Sequence, residues 1–285
     1  MSFLLRSVRH LASVPPFDRL TKVTPLVRLS FALRASLVRD WVRFVRNELR
    51  PGAVTATYTL RESRVRVALR HHTGDIMVLD EIFSQREYEP PGSIEKLLAA
   101  VPGALGVVDL GANIGLFGAW LLGRFPEARI LAIEADPANG AIHRRTIEAN
   151  GLEGRWTLLE KFAAPSPGAV HFAAGEHATS HESSDEGTID VEAVDVFAHL
   201  GDADLIKIDI EGAEWAIIAD PRFADVSALV VVLEYHAEGC PEPDARAAAE
   251  SALTAIGYDV VSGPTKEAFG AGLIWGSRRS AQSRP

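Results

Sequence analysis

Strand-like and helix-like segments alternate from residue 93 onward, and this alternation constrains the 285-residue chain more than any other feature. Short runs rich in Val and Ile predict buried strands, and longer segments with helical periodicity separate them. We predict strands over 106–110, 129–134, 155–161, 204–209, 229–235, 258–261 and 272–275. Helices are predicted over 93–101, 114–124, 137–150, 213–219 and 245–256. This alternation predicts an α/β fold with a doubly wound, mainly parallel sheet covered on both faces.

The first 92 residues do not follow the alternation and predict an N-terminal extension, residues 1–92. Two β-branched segments within 54–70 predict a hairpin. A Pro-Pro-Gly cluster at 90–92 marks the boundary with the α/β domain, which we place over residues 93–279. Residues 280–285 are predicted to be a disordered tail, and the polar segment 175–187, with His177 and His181, a long loop.

Residues 26–50 predict an amphipathic helix. Its apolar positions recur at helical spacing: Leu26, Leu29, Leu33, Leu37, Trp41, Phe44 and Leu49. At about 100° per residue, the arginines fall within a face about 60° wide: Arg28, Arg39, Arg43, Arg46 and Arg50. One hypothesis is peripheral contact with an anionic membrane surface. The other, which the sequence favours, is a helix packed on its own domain with a solvated basic face.

Charge is distributed unevenly along the chain. Residues 1–50 carry a formal charge of +7 and the remainder carries −16. An acidic body argues against nucleic-acid binding, because phosphate backbones require a basic surface. Cys240 is the only cysteine, so neither an intrachain disulfide nor a four-cysteine zinc site can form. A reducing, cytoplasmic setting is therefore expected.

A glycine-containing turn follows the first strand of the α/β domain. The chain reads Val-Val-Asp-Leu-Gly-Ala-Asn-Ile-Gly over 107–115, so Asp109 ends the strand and Gly111 and Gly115 bracket Asn113. Such a turn lies at the ligand crevice of a doubly wound sheet, and its glycines allow positive φ and close approach of a ligand. The glycine spacing does not match the dinucleotide fingerprint, and no Lys-Ser or Lys-Thr follows as in a phosphate-binding loop.

The ligand this turn suits is S-adenosylmethionine, which has no pyrophosphate to bind. Asp109 is a sensible neighbour for its cationic amino-acid end. Glu134 ends the second strand, where an acid can accept hydrogen bonds from both ribose hydroxyls. The turn around Ala163, after the third strand, lies where an adenine ring could stack. A helix cap or turn role for Asp109 and a solvated strand end for Glu134 are the structural alternatives, and the joint occurrence of both acids and both glycines disfavours them.

A second acidic cluster lies at the ends of two later strands. Asp209 and Glu211 share one side of their strand with Lys207, and Glu234 and His236 end the next strand. The interpretation we favour is contact with substrate or cofactor, including removal of a substrate proton by one of these groups. Two alternatives remain: a divalent metal held by oxygen ligands and one histidine, and salt bridges that merely order the strand ends.

These motifs together resemble the FkbM family of S-adenosylmethionine-dependent methyltransferases. The resemblance lies in the segments 109–115, 134–137, 207–214 and 234–236, with a lead-in at 73–75, 81–83 and Tyr88, and it covers about residues 71–276. It implies a class I, Rossmann-like fold with seven strands, the last antiparallel. It also implies O-methylation of a sugar or natural-product hydroxyl. By resemblance, the cofactor roles fall on Asp109, Gly111, Asn113, Gly115 and Glu134, and the acidic block on Asp209, Glu211 and Glu214.

The expected reaction is in-line methyl transfer to a hydroxyl of a small-molecule or glycan acceptor, with alignment supplying much of the rate. The base would be Asp209, His236 or Glu234, in that order. Asp209 is also expected to touch the cofactor. Two other functional classes compete with this one: a non-catalytic binding protein that keeps the fold, and a dinucleotide oxidoreductase, which the failed glycine fingerprint disfavours.

Overall fold

The computed structural model of the chain describes residues 33–173, 181–182 and 189–278. Three sequence predictions lie wholly or partly outside these ranges. They are the first part, residues 26–32, of the helix predicted over 26–50, most of the loop 175–187, and the tail 280–285. Residues 181–182 of the predicted loop pair with a neighbouring strand. Each described helix is too short or too polar to cross a bilayer.

The described helices are α1 Trp41–Leu49, α2 Asp75–Leu79, α3 Gly92–Ala99, α4 Leu116–Arg124, α5 Pro137–Asn150, α6 Glu214–Ala219 and α7 Ala245–Ala255. The strands are β1 Val54–Thr59, β2 Arg66–His71, β3 Gly106–Leu110, β4 Arg129–Glu134, β5 Trp156–Glu160, β6 Phe162–Ala164, β7 Gly168–Ala173, β8 His181–Glu182, β9 Ile189–Asp195, β10 Leu205–Ile208, β11 Val230–His236, β12 Tyr258–Lys266 and β13 Ala271–Arg278. A π-helical turn, Asp80–Ser84, continues α2.

Seven strands form the central sheet, in the order β12-β13-β11-β10-β3-β4-β5. Only β13 runs against the others, since it pairs antiparallel with both β11 and β12. The predicted seven-stranded α/β sheet with an antiparallel last strand is therefore confirmed. The inner strands are mostly apolar because helices cover both faces, and their charged side chains, such as Asp109, Lys207 and Glu234, lie toward the carboxyl ends. On β11, Val230 and Val232 pack into one core, and Val231 and Leu233 into the other.

The register of this sheet aligns the acidic residues on one face. Lys207 of β10 lies opposite Asp109 of β3, and Asp109 lies opposite Ala132 of β4. Because side chains of a strand alternate between faces, Glu134 points to the same face two residues beyond Ala132. The acids therefore collect at the carboxyl edge of the sheet, on the face that the N-terminal residues cover.

The N-terminal residues pack against this face through the β1–β2 hairpin. The Arg66 and Ala68 backbone N–H groups donate to the Asn150 and Thr146 side chains of α5, at 2.9 and 3.0 Å. Arg70 donates to the Asn139 side-chain oxygen at 2.6 Å. Hairpin residues share one apolar core with the sheet and with α4 and α5. The N-terminal extension therefore packs on one face of the central sheet and shares its hydrophobic core.

The helix predicted over 26–50 is not continuous. Val38 forms an isolated antiparallel bridge with Leu60, and the Arg39 N–H donates to the Thr59 carbonyl at 2.8 Å. These bonds hold residues 37–40 in an extended turn, so α1 begins only at Trp41. The predicted apolar stripe is split as well: Phe44 is buried, whereas Trp41 and Leu49 are exposed. Pairing with the hairpin overrides the helical periodicity here.

Four short strands, β6, β9, β7 and β8 in spatial order, form a second sheet after β5. The sequence analysis did not predict this sheet. Its first strand, Phe162–Ala164, lies directly beyond the carboxyl edge of the central sheet and forms one wall of the cleft described below.

Candidate active site

The turn between β3 and α4 is built from left-handed backbone. Gly111, Asn113 and Gly115 have φ of 75°, 49° and 85°. Asn113 tolerates this conformation because its side-chain oxygen accepts a 2.7 Å hydrogen bond from the Ile114 N–H. The Gly111 and Ala112 N–H groups both donate to the Ile133 carbonyl at 3.0 Å, which fixes the turn against the end of β4.

The two glycines are required by packing within the protein. A Cβ on Gly111 would collide with the backbone carbonyl of Asp209, and one on Gly115 would lie 2.6 Å from the His143 ring. From the sequence, these glycines were expected to allow a ligand to approach the backbone closely. The structure gives a different immediate reason, which is that the turn must pass between the end of β10 and helix α5.

Glu134 holds this turn in place from the end of β4. Its carboxylate accepts hydrogen bonds from the Asn113 N–H at 2.7 Å and the Asp136 N–H at 2.9 Å, with the Asn139 amide at 3.4 Å. Burial raises the pKa of Glu134 to about 7, although these hydrogen bonds oppose the shift. Three of the roughly four acceptor positions of a carboxylate are therefore occupied by the protein, and one is left for a ligand.

An open cleft lies beside this turn. Five of the seven residues predicted to contact a cofactor line it: Gly111, Asn113, Glu134, Ala163 and Asp209. Phe162 and Ile133 add apolar surface. An acid with a spare acceptor position next to an apolar wall fits a nucleoside with a ribose diol, so this cleft suits S-adenosylmethionine. Gly115 and Asp109 do not line the cleft.

Asp109 is instead fully buried beneath the turn, where it pairs with Lys207. The Lys207 ammonium lies 3.2 Å from a carboxylate oxygen of Asp109, 3.2 Å from one of Asp209, and 3.0 Å from the Gly111 carbonyl. Burial lowers the pKa of Lys207, but the two carboxylates raise it above its ordinary value, so the ammonium stays charged. Asp109 therefore positions Lys207, whose ammonium group contacts both the glycine turn and the second acidic cluster.

Asp209 is the best connected acid of that cluster. Its carboxylate contacts Lys207 and accepts a 3.0 Å hydrogen bond from the Tyr88 hydroxyl, which also lies 3.2 Å from Glu234. Burial raises the pKa of Asp209, but the cations Lys207, His236 and Lys266 outweigh burial and hold the pKa below its ordinary value. Asp209 is therefore ionised at neutral pH, and about a quarter of its side chain remains exposed.

His236 is held between two acids. Its Nδ1 lies 3.1 Å from Glu214, and its Nε2 lies 3.3 Å from Glu211. Burial lowers the pKa of His236, but the hydrogen bond to Glu214 and the surrounding carboxylates raise it to about 9. Glu214 also accepts from the His236 and Gly212 N–H groups, so it braces the strand end. His236 is consequently a cation at neutral pH.

A second cleft lies on the other side of the glycine turn. It shares Gly111, Asn113, Asp209 and Glu211 with the first cleft. Of its other eleven lining residues, five are apolar and six are charged or phenolic: Glu81, Glu87, Tyr88, Lys207, Glu234 and Lys266. All four catalytic candidates therefore lie at or next to the junction of the two clefts.

Four lining residues of the second cleft had no role in the sequence analysis. Lys266 contacts Glu87 at 2.9 Å and Glu234 at 2.8 Å, and Tyr88 bridges Asp209 and Glu234. Burial raises the pKa of Glu87 to about 8, and it also raises the pKa of Glu81. Glu81 and Tyr88 belong to the lead-in segment that resembles the family, and this resemblance is the sequence signal that could have identified them. No sequence motif marks Lys266.

The same cluster contains ligand types that a metal ion could use. One ligand atom each of Asp209, Glu234 and His236 lies within 4.8 Å of the others. Lys207 and Lys266 already contact the two carboxylates, and both nitrogens of His236 face acids. A divalent cation would have to displace or repel these cations, so the donor set fits a metal poorly.

The sequence was compared with known families and proteins. The family model described as the methyltransferase FkbM domain matches residues 109–258. A curated relative, "Methyltransferase 1" of Beauveria bassiana (strain ARSEF 2860), is 25% identical over 210 residues, which is 63% of this chain and 79% of that protein.

Solved methyltransferase structures are similar to this chain at low identity. Precorrin-6y C5,15-methyltransferase from Geobacter metallireducens GS-15 is 19% identical, with a TM-score of 0.40, over 66% of this chain and 87% of that one. M. jannaschii TYW2 in complex with AdoMet is 16% identical, with a TM-score of 0.42, over 80% and 87%. Magnesium protoporphyrin IX methyltransferase from Synechocystis PCC 6803, with bound SAM, is 13% identical, with a TM-score of 0.40, over 71% and 84%.

Proposed function

This chain belongs to the FkbM methyltransferase family, and we propose that it methylates a hydroxyl oxygen of a small-molecule or glycan acceptor. It is an S-adenosylmethionine-dependent methyltransferase by that membership. The proposal concerns the atom that receives the methyl group and the residues that assist. One observation carries it: two clefts of different chemistry meet at the ionised carboxylate of Asp209.

The first cleft suits the cofactor. S-adenosylmethionine, when bound, supplies a methyl group activated by its sulfonium charge. Glu134 would accept a hydrogen bond from a ribose hydroxyl at its remaining acceptor position, and Ala163 with Phe162 would contact the adenine. The backbone of Gly111 and Asn113 would contact the cofactor from the turn. These positions leave the side toward Asp209 for the reacting groups.

The second cleft suits a hydroxyl acceptor better than an amine. Five carboxyl side chains line it, and only two lysines oppose them: Glu81, Glu87, Asp209, Glu211 and Glu234 against Lys207 and Lys266. Beside an ionised carboxylate such as Asp209, the pKa of an amine is raised, so the amine stays protonated and lacks the lone pair it needs to react. A hydroxyl stays neutral there, keeps its lone pairs and donates hydrogen bonds to the carboxylates.

Asp209 is the base that this geometry favours. An alcohol oxygen becomes positively charged as it forms a new bond to carbon, so its proton is strongly acidic at that stage. A carboxylate of lowered pKa is then a sufficient acceptor, provided that it is ionised and within hydrogen-bond reach. His236 is a cation at neutral pH, with both nitrogens facing acids, and therefore lacks a free acceptor position. Its role is to keep Asp209 ionised.

The acceptor class follows from the same lining. The pKa of both Glu87 and Glu211 is about 8, because burial raises it, so each carboxyl carries a proton much of the time at neutral pH. Protonated carboxyls donate hydrogen bonds, and ionised ones accept them. A cleft that offers both fits an acceptor with several hydroxyl groups, such as a sugar or an oxygenated natural product.

The test uses the full chain, S-adenosylmethionine with an isotopically labelled methyl group, and the small-molecule and glycan fractions of an extract from the source organism. Label recovered as an alkali-stable methyl ether supports the proposal. Label on nitrogen, carbon or a carboxyl ester contradicts it. Binding of S-adenosylhomocysteine without transfer of label to any fraction would favour the non-catalytic alternative.

A further inference from the structure

Helix α1 presents an apolar surface to solvent. Trp41, Val42 and Leu49 are 53%, 61% and 74% exposed. In the part of the chain that the structure describes, the other exposed large apolar side chains are Val261, at 43%, and Phe269, at 58%. Exposed apolar residues scattered singly are ordinary, but three on one nine-residue helix form a patch.

Arginines border this patch on one side. At about 100° per residue, with Trp41 at zero, Leu49 and Val42 lie at about 80° and 100°. The next arc, from about 140° to 200°, holds Arg46 and Arg43, and Arg39 and Arg50 flank the helix before its start and after its end. Among the described residues, none of these four forms an ion pair with an acid.

A third side of α1, from about 240° to 340° on the same scale, fixes the helix to the domain. Phe44 is fully buried, the Asn47 amide donates to the Tyr58 hydroxyl at 2.8 Å, and Glu48 pairs with His71 at 2.6 Å. His71 in turn contacts the Tyr58 hydroxyl at 2.6 Å. The helix therefore needs no help from Trp41, Val42 or Leu49 to stay in place. The sequence favoured a helix packed on its own domain with a solvated basic face; α1 does pack on the domain, but Trp41 and Leu49 of the predicted apolar stripe are exposed.

We propose that the outward face of α1 docks on an anionic lipid bilayer. An apolar arc beside a basic arc is the arrangement of helices that lie in the interfacial plane of a membrane, where the apolar side chains enter the acyl boundary and the arginines meet anionic headgroups. Charge supports this partner, because residues 1–50 carry +7 on an otherwise acidic chain. An acidic protein approaches an anionic surface only through such a basic region.

The chain contains its own probe for this contact. It has five tryptophans, and Trp120, Trp156, Trp215 and Trp275 are at most 7% exposed. Trp41 is the exception, so its fluorescence reports the environment of α1. The full chain is titrated with vesicles of phosphatidylcholine alone and with vesicles that also contain phosphatidylglycerol. We expect a blue shift and loss of acrylamide quenching with the anionic vesicles, weakened by added salt.

Variants separate the apolar from the electrostatic contribution in a flotation assay. Trp41→Ser with Leu49→Ser should weaken binding at least tenfold. Arg46→Gln with Arg50→Gln should weaken it about fivefold per arginine on anionic vesicles. Trp41→Phe should bind like the wild type while losing the change in tryptophan fluorescence that accompanies vesicle binding. Phe269→Ser removes an equally exposed ring elsewhere and should change nothing.

Several outcomes would overturn the proposal. These are absence of wild-type binding to anionic vesicles at low salt, equal binding to neutral vesicles, and unchanged binding by Trp41→Ser with Leu49→Ser. A fourth is dissociation of a wild-type oligomer by that same double variant without any effect on flotation, which would make the face a contact between copies of this chain.

Discussion

The two clefts meet at Gly111 and Asp209 but are built in different ways. The cofactor cleft is built around a backbone turn and the carboxylate of Glu134, whose hydrogen bonds join residues at most 21 positions apart along the chain. The acceptor cleft consists of charged side chains from four distant segments, and Tyr88 reaches Asp209 across 121 positions. The shape of the cofactor cleft depends on backbone geometry. The acceptor cleft depends on a balance of charged side chains that the fold brings together.

This difference has consequences for how each cleft responds to substitution. A backbone turn tolerates loss of one polar contact, because the remaining bonds keep its shape. A buried charge cluster does not, since removal of one member leaves another charge without its partner. The acceptor cleft should therefore show the larger effects on substitution, whereas the cofactor cleft should show smaller and more local ones.

The largest effect is expected for Asp209→Asn. The amide keeps the shape of the side chain but cannot take the acceptor's proton, so kcat should fall by about 10² to 10⁴. Affinity for S-adenosylhomocysteine should stay within about threefold, because the cofactor rests mainly on the other cleft. Methyl transfer and calorimetry measure the two quantities. Asp190→Asn, an exposed acid on β9, is the matched control. Near-wild-type turnover would show that another residue is the base.

Lys207→Met tests the charge balance beneath both clefts. The substitution leaves Asp109 fully buried without its cation, which should cost about 3–5 kcal/mol of folding stability. The melting temperature should fall by about 10 °C. Addition of Asp109→Asn to the same chain should restore part of the loss, because it removes the unpaired charge. A single variant as stable as the wild type would mean that the pair is energetically neutral.

Glu134→Ala tests the cofactor cleft alone. It removes the acceptor for the ribose and for the Asn113 N–H, so affinity for S-adenosylhomocysteine should fall at least tenfold, about 1.4 kcal/mol. The comparison is Glu148→Ala, an exposed acid on α5 that does not line the cleft. Equal affinities for these two variants would separate Glu134 from cofactor binding.

The smallest effect concerns pH. The pKa of Glu87 rises from an ordinary value of 4.5 to about 8 because of burial, so the folded protein holds this proton to higher pH than the unfolded chain does. The group's contribution to stability is present at low pH and is lost as pH rises from about 4.5 through 8. Glu87→Gln does not titrate. Its melting temperature relative to wild type should therefore rise by a few degrees between about pH 5 and pH 9, and a constant difference would contradict the raised pKa.

The same contrast explains what the sequence could predict. The turn at Gly111 and the strand-end acids Glu134 and Asp209 were predictable, because their spacing depends on neighbouring elements and on the alternation of side chains along a strand. Tyr88 was marked only by its place in the lead-in segment and Lys266 by nothing, since no local pattern marks a side chain that reaches the site from a distant segment. The role of Asp109 also needed the structure, because only the register of β3 and β10 brings Lys207 beside it.

The central claim is that the two clefts divide the work, one holding the cofactor and the other handling the acceptor. The most direct test measures S-adenosylhomocysteine affinity and methyl transfer at saturating cofactor for Glu134→Ala and Asp209→Asn side by side. We expect Glu134→Ala to lose affinity at least tenfold but to recover most of its turnover at saturation, and Asp209→Asn to keep affinity and lose turnover. If both variants lose both quantities to the same extent, the clefts do not act separately and the account is wrong.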